Sequence, residues 1–99
     1  MVDEIVWTRR AQKNFDKVII YLIKEWTEKE AEKFILKTQA LLNRISKHPS
    51  LGEIALENME VREILITKHN QLFYRNKKNK IVILNIFDTR QDPKKKQKK

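Results

Sequence analysis

The sequence predicts an α+β domain in the order β-α-α-β-β-β, with a helical hairpin packed on a small, mainly antiparallel sheet. Two observations carry this expectation. Apolar residues repeat at helical spacing twice between Phe15 and Ile45, with almost no linker between the two runs. Beyond Val61, three strand-like segments are joined by connections of three or four residues. Connections that short join antiparallel neighbours, because a parallel pair needs a crossover of about a dozen residues or more.

Taken in order, Glu4-Ile-Val-Trp7 is a short apolar run, and Thr8 behind it is a good helix N-cap. Phe15, Val18, Ile19, Leu22, Ile23 and Trp26 then fall on one helical face. Thr27-Glu28-Lys29-Glu30 matches a capping box and restarts a second helix. Its apolar face is Ala31, Phe34, Ile35, Thr38, Leu41, Leu42 and Ile45, and it stops before Pro49. A mixed loop from Ser50 to Asn58 contains the chain's single glycine, Gly52. The strand-like segments are Val61 to Thr67, Gln71 to Arg75 and Lys80 to Asp88, with turns at Lys68-His69-Asn70 and Asn76-Lys77-Lys78-Asn79. Because Ile81-Val82-Ile83-Leu84 is apolar on both faces, the last segment belongs in the middle of the sheet.

Composition removes several kinds of chemistry. A 99-residue chain has room for one core and one site. Without cysteine there is no disulfide, thiolate metal site or thiol nucleophile, which suits a reducing cytoplasm. His48 and His69 lie far apart and belong to no ligand-spaced cluster, so no metal is expected. One glycine cannot build a phosphate-binding loop or flank a serine nucleophile, so no nucleotide cofactor follows from motifs. The N-terminus has acids where a signal peptide needs bases, and no apolar run approaches the roughly 20 residues that span a bilayer. A cytoplasmic protein without membrane attachment is the expectation.

Charge is distributed unevenly. Residues 1–67 hold 11 Lys/Arg against 11 Asp/Glu, whereas residues 68–99 hold 11 Lys/Arg against two acids, so the net +9 lies entirely in the last third. Such a basic face favours polyanions or an acidic protein partner. The residues left with chemistry to offer are Arg62, Lys68, His69, Gln71, Tyr74, Arg75 and Arg90, all in the sheet half.

The segments V-R-E-I-L-I, Q-L-F-Y-R and I-V-I-L-N-I-F-D-T-R-Q-D-P, in this element order, resemble the RelE/ParE superfamily of toxins from type II toxin–antitoxin systems. The resemblance covers residues 1–93 as one toxin domain, followed by a lysine-rich tail at 94–99 expected to be disordered. It implies a growth-arresting toxin held by a cognate acidic antitoxin in a hetero-oligomer, with no metal and no cofactor. One branch cuts ribosome-bound messenger RNA: a 2′-hydroxyl attacks the adjacent phosphate while basic groups stabilise the charge and a donor protonates the leaving oxygen. For that branch the candidate catalytic residues are Arg62, Lys68, His69, Tyr74 and Arg90, with Gln71, Arg75, Lys77, Lys78, Lys94 and Lys95 binding the target. Gln71 stands where these nucleases usually carry an arginine, a departure from the catalytic pattern. The other branch poisons DNA gyrase by binding alone. The nuclease or translation-directed branch is weighed slightly ahead of it.

Each candidate also has a structural alternative. Arg62 can pair with Glu60 or Glu63, His69 can be an ordinary turn residue, and Tyr74 can be a core ring with its hydroxyl satisfied at the sheet edge. Arg90, between Asp88 and Asp92, can brace the chain as it leaves the sheet. A plain nucleic-acid-binding module without toxicity is a further reading, disfavoured because the adjacent Phe73 and Tyr74 must point to opposite faces.

Overall fold

A computed structural model of the chain describes residues 2, 4–56 and 60–88. The order of elements is β1 (Glu4–Trp7), α1 (Arg9–Glu25), α2 (Glu28–Lys47), β2 (Glu53–Leu56), β3 (Val61–Thr67), β4 (Asn70–Lys77) and β5 (Lys80–Asp88). The five strands form one mixed sheet in the order β1-β5-β4-β3-β2. Only β1 runs parallel to its neighbour, β5; the other three pairings are antiparallel.

Both helices begin where their threonines stand. The Thr8 hydroxyl accepts from the Ala11 amide at 3.1 Å and donates to the Ile83 carbonyl at 2.9 Å. The cap of α1 is thereby tied to the central strand. Thr27 accepts from the Glu30 amide at 3.0 Å, opening α2 one residue after α1 is capped by Trp26. The hairpin drapes its apolar faces over one side of the sheet, where Val18, Leu22, Phe34, Leu41 and Ile45 meet Leu72, Tyr74, Ile81, Ile83 and Ile86. Ring contacts from Trp7 to Phe15 at 5.1 Å and from Phe15 to Phe34 at 5.3 Å join β1, α1 and α2.

Two expectations are corrected. The stretch read as a loop from Ser50 to Asn58 contains β2, which pairs with β3 at the sheet edge and makes a fifth strand. Its sequence Glu-Ile-Ala-Leu is too short and too mixed to announce a strand, and Ile54 and Leu56 stay exposed, so only pairing defines it. Trp26 and Ile23, placed on the buried face by periodicity, are about half exposed. They lie in the last turn and cap of α1, where the chain turns away into α2.

The two tight turns are shorter than their sequences suggest. β4 begins at Asn70, leaving Lys68 and His69 as the β3–β4 connection. Lys78 and Asn79 form the β4–β5 connection with φ of 48° and 66°. Positive φ at both central residues is the signature of the turn whose twist matches a hairpin.

Candidate functional site

Strand pairing decides which side chains share a face. In β3 and β4 the partners Arg62↔Tyr74 and Ile64↔Leu72 lie on the helix-covered side. The partners Val61↔Arg75, Glu63↔Phe73 and Leu65↔Gln71 lie on the opposite, helix-free side. The expected site residues are therefore divided between two faces.

On the covered face, Tyr74 is fully buried. Its hydroxyl donates to the Pro49 carbonyl at 2.7 Å and accepts from the Gly52 amide at 2.9 Å. Burial raises the phenol's pKa above the ordinary 10.0, partly offset by the Gly52 amide and the charge of Arg62. Arg62 donates to the Gly52 carbonyl at 2.7 Å and to the Ser50 carbonyl at 3.4 Å. Together these bonds clasp the Pro49–Gly52 loop to the sheet. Gly52 has to be glycine because an added Cβ would lie 2.9 Å from the Glu63 carbonyl oxygen and 3.0 Å from the Tyr74 ring. This geometry matches the structural alternative for Tyr74, and it gives Arg62 a partner that sequence reasoning did not name.

On the open face, the Gln71 amide nitrogen donates to a Glu63 carboxylate oxygen at 2.9 Å. Glu63 and Gln71 also line, with Leu41 and Arg44 of α2 and with Glu53 and Leu65, a shallow recess of about 550 Å³ between the sheet edge and that helix. Two carboxylates stand there against the one guanidinium of Arg44, which is a poor setting for a phosphate. Arg75 lies further along the same face, and its Nε is buried without a hydrogen-bond partner among the described residues.

The remaining cations are spread along the strands. Lys68 and His69 occupy the β3–β4 turn, whereas Lys77 and Lys78 lie at the β4–β5 turn. β4 separates them by eight residues, or roughly 25 Å at the usual rise of a strand. Arg62 is six residues from Lys68 along β3, about 20 Å by the same measure. No single phosphate can be touched by Arg62, by Lys68 or His69, and by Lys77 at once. Arg90, Lys94 and Lys95, with the expected disordered tail, lie outside the described residues. Around the β3–β4 turn a second cleft opens between Lys68 and His69 and the tip of the helical hairpin, where Trp26, Lys33 and Lys37 stand. Sequence reasoning missed these three; their helical spacing is visible, but not that they face the turn.

Among the described residues no group of His, Asp and Glu is arranged to hold a metal ion, and no helix is long and apolar enough to cross a membrane.

Comparison with known proteins completes the picture. The fold is similar to that of the chromosomal ParDE toxin–antitoxin system from P. aeruginosa, at a TM-score of 0.72 and 19% identity, covering 88% of this chain and 96% of that one. It is similar to the YoeB/ParE toxin from Agrobacterium tumefaciens, at 0.64 and 14%, covering 87% and 98%. The heterotetrameric YoeB-YefM toxin–antitoxin complex from Staphylococcus aureus gives 0.63 and 18%, covering 88% and 95%. No curated protein matches the chain. The family model of the ParE toxin of the type II toxin–antitoxin system, parDE, matches residues 5–93. With nearly the whole chain matched and the helical hairpin lying on its five-stranded sheet, the protein belongs to the ParE toxin family of type II toxin–antitoxin systems.

Proposed function

We propose that this toxin arrests growth by binding DNA gyrase, without cutting RNA. The observation that carries the reading is the dispersal of its candidate catalytic groups. Phosphoryl chemistry without a metal needs cations and a proton donor converging on one phosphate. Here Arg62 is committed to loop carbonyls, Tyr74 is buried with its hydroxyl bonded twice, and Gln71 is paired with Glu63. Lys68 and His69 stand a strand's length from Arg62. A binding poison needs none of these groups to converge. Family membership as a ParE toxin points the same way. The partner that restrains the toxin is an acidic antitoxin: the +9 charge asks for an acidic complement, and two similar folds were solved in toxin–antitoxin systems.

The test is expression of the chain in bacteria, followed over the first minutes of arrest. DNA breaks and a halt in replication with intact messages are expected, and purified gyrase should lose supercoiling activity when the toxin is added. New 5′ ends on ribosome-bound messages, with gyrase unaffected, would return the nuclease branch to first place.

A further inference from the structure

The geometry points to a nucleotide-binding cleft at the tip of the helical hairpin, with Trp26 as the stacking platform and Lys33, Lys37 and Lys68 as the phosphate-holding groups. The cleft has a volume of about 520 Å³, within the range of about 300 to 1,000 Å³ usual for small-molecule sites. It is assembled from parts distant in sequence. The cap of α1 supplies Trp26, the first half of α2 supplies Lys33 and Lys37, and the β3–β4 turn supplies Lys68 and His69.

Each part follows from local structure. Lys33 and Lys37 are four residues apart on α2, so they project from the same side of the helix, on either side of the buried Phe34. Leu22 and Phe34 form an apolar floor. Trp26 leaves the helix at φ −127° and keeps 52% of its surface exposed, the largest of the exposed apolar side chains among the described residues. An exposed indole beside lysines offers what a nucleotide requires: a flat π-face for the base and point charges for the phosphate. Glu30 also lines the cleft and holds Lys33 at 3.6 Å. The pair is open to water and i,i+3 spaced, so it is weak enough for a phosphate to compete for the lysine. Asn70 closes the floor at the strand end. It is fully buried, and its amide nitrogen has no acceptor among the described residues although its oxygen accepts from Thr67 at 2.5 Å. A buried donor without an acceptor at the base of a cationic cleft fits an anionic occupant.

An acidic peptide is the competing occupant. An extended peptide binds by adding to a strand edge; β3 beyond Glu63 and β5 beyond Ile83 have no outer strand among the described residues, but a peptide held there draws on backbone groups and uses neither the exposed indole of Trp26 nor the lysines of α2. The nucleotide is therefore favoured. It can arrive as a free mononucleotide or as part of a single strand, and the two share the same base and phosphate. The inference does not depend on which target the toxin arrests.

The test is titration of the purified full chain with thymidine 5′-monophosphate, a short oligothymidylate, inorganic phosphate and oligoglutamate, followed by isothermal titration calorimetry for every variant and by tryptophan fluorescence for chains that keep Trp26. Saturable quenching by the mononucleotide is expected, with inorganic phosphate at least tenfold weaker. Trp26→Ala should weaken binding by about tenfold or more, since stacking on one aromatic carries that much. Lys33→Ala and Lys68→Ala should each weaken it several-fold and flatten its salt dependence. These lysines are exposed, so unchanged melting temperatures will show that the variants remain folded. Tighter binding of the oligomer than of the monomer identifies a strand as the source; equal binding identifies the free nucleotide. Absence of saturable nucleotide binding, indifference to Trp26→Ala, or binding of oligoglutamate in place of nucleotides would overturn the proposal.

Discussion

Tyr74 shows how much a single side chain holds. Its hydroxyl is the shared partner of the Pro49 carbonyl and the Gly52 amide, so Tyr74→Phe removes one oxygen and strands two backbone groups. A loss of about 1–3 kcal/mol is expected in chemical denaturation, the range for orphaning buried polar groups. The raised pKa adds a pH signature. Unfolded, the phenol ionises near its ordinary value; folded, burial keeps the proton on beyond it. The folded state therefore binds more protons above pH 10, and stability falls as pH rises through that point while remaining level below it. Tyr74→Phe should remove this component of the alkaline slope, measured as the difference between the two denaturation profiles. Gly52 belongs to the same clasp. Gly52→Ala should cost about 1–3 kcal/mol through overpacking, because the new methyl meets a backbone oxygen that cannot easily move. Its φ is not positive, so close approach and not backbone freedom makes this glycine necessary.

At the scale of the element, the two N-caps are alike in sequence and unlike in consequence. Thr8 caps α1 and also bonds the central strand β5, whereas the hydroxyl of Thr27 caps α2 at an exposed position. Thr8→Ala should destabilise by about 1–2 kcal/mol and Thr27→Ala by about half of that, the spread known for caps. Thermal unfolding of the two variants checks the order. The β4–β5 turn carries a lysine and an asparagine at positive φ. Asn79→Gly should stabilise by several tenths of a kcal/mol, about what relief of left-handed strain gives a side chain that already tolerates it. The edge strand β2 is the element with least support of its own, and its register slips between Ile54 and Leu56. Hydrogen exchange should find its amides less protected than those of β4, which is paired on both sides.

For the whole molecule, charge is the property that reaches furthest. The last third carries the excess, and much of it lies beyond Asp88, outside the described residues. Arg90→Ala should abolish growth arrest while leaving stability within about 1 kcal/mol if this arginine meets the target, the usual range for a surface change. Shortening the chain after Pro93 should weaken target binding in a salt-dependent way, because flexible lysines contribute diffuse attraction. A toxic but destabilised Arg90→Ala would instead make Arg90 a brace for the end of the sheet.

Fold and family were legible in the sequence because they rest on periodic and local signals. The 3.6-residue repeats, the two capping threonines and the short turns set α1, α2 and the β3–β5 meander, and Glu4–Trp7 emerged as β1 with its bounds intact. β2 left no such trace, since a four-residue edge strand is defined by its neighbour and not by its own composition. The candidate site was legible only as residue types. Arg62, Tyr74 and Gln71 were found, but sequence spacing does not say which face a side chain takes after a bulge, nor which loop carbonyl lies within its reach. Tertiary structure turned Arg62 and Tyr74 toward the Pro49–Gly52 loop, paired Gln71 with Glu63, and set Trp26, Lys33 and Lys37 beside Lys68. The physical reason is one of range. Helix and turn propensities act over a few residues, whereas a site is made by contacts between elements dozens of residues apart, and those are fixed only when the core closes.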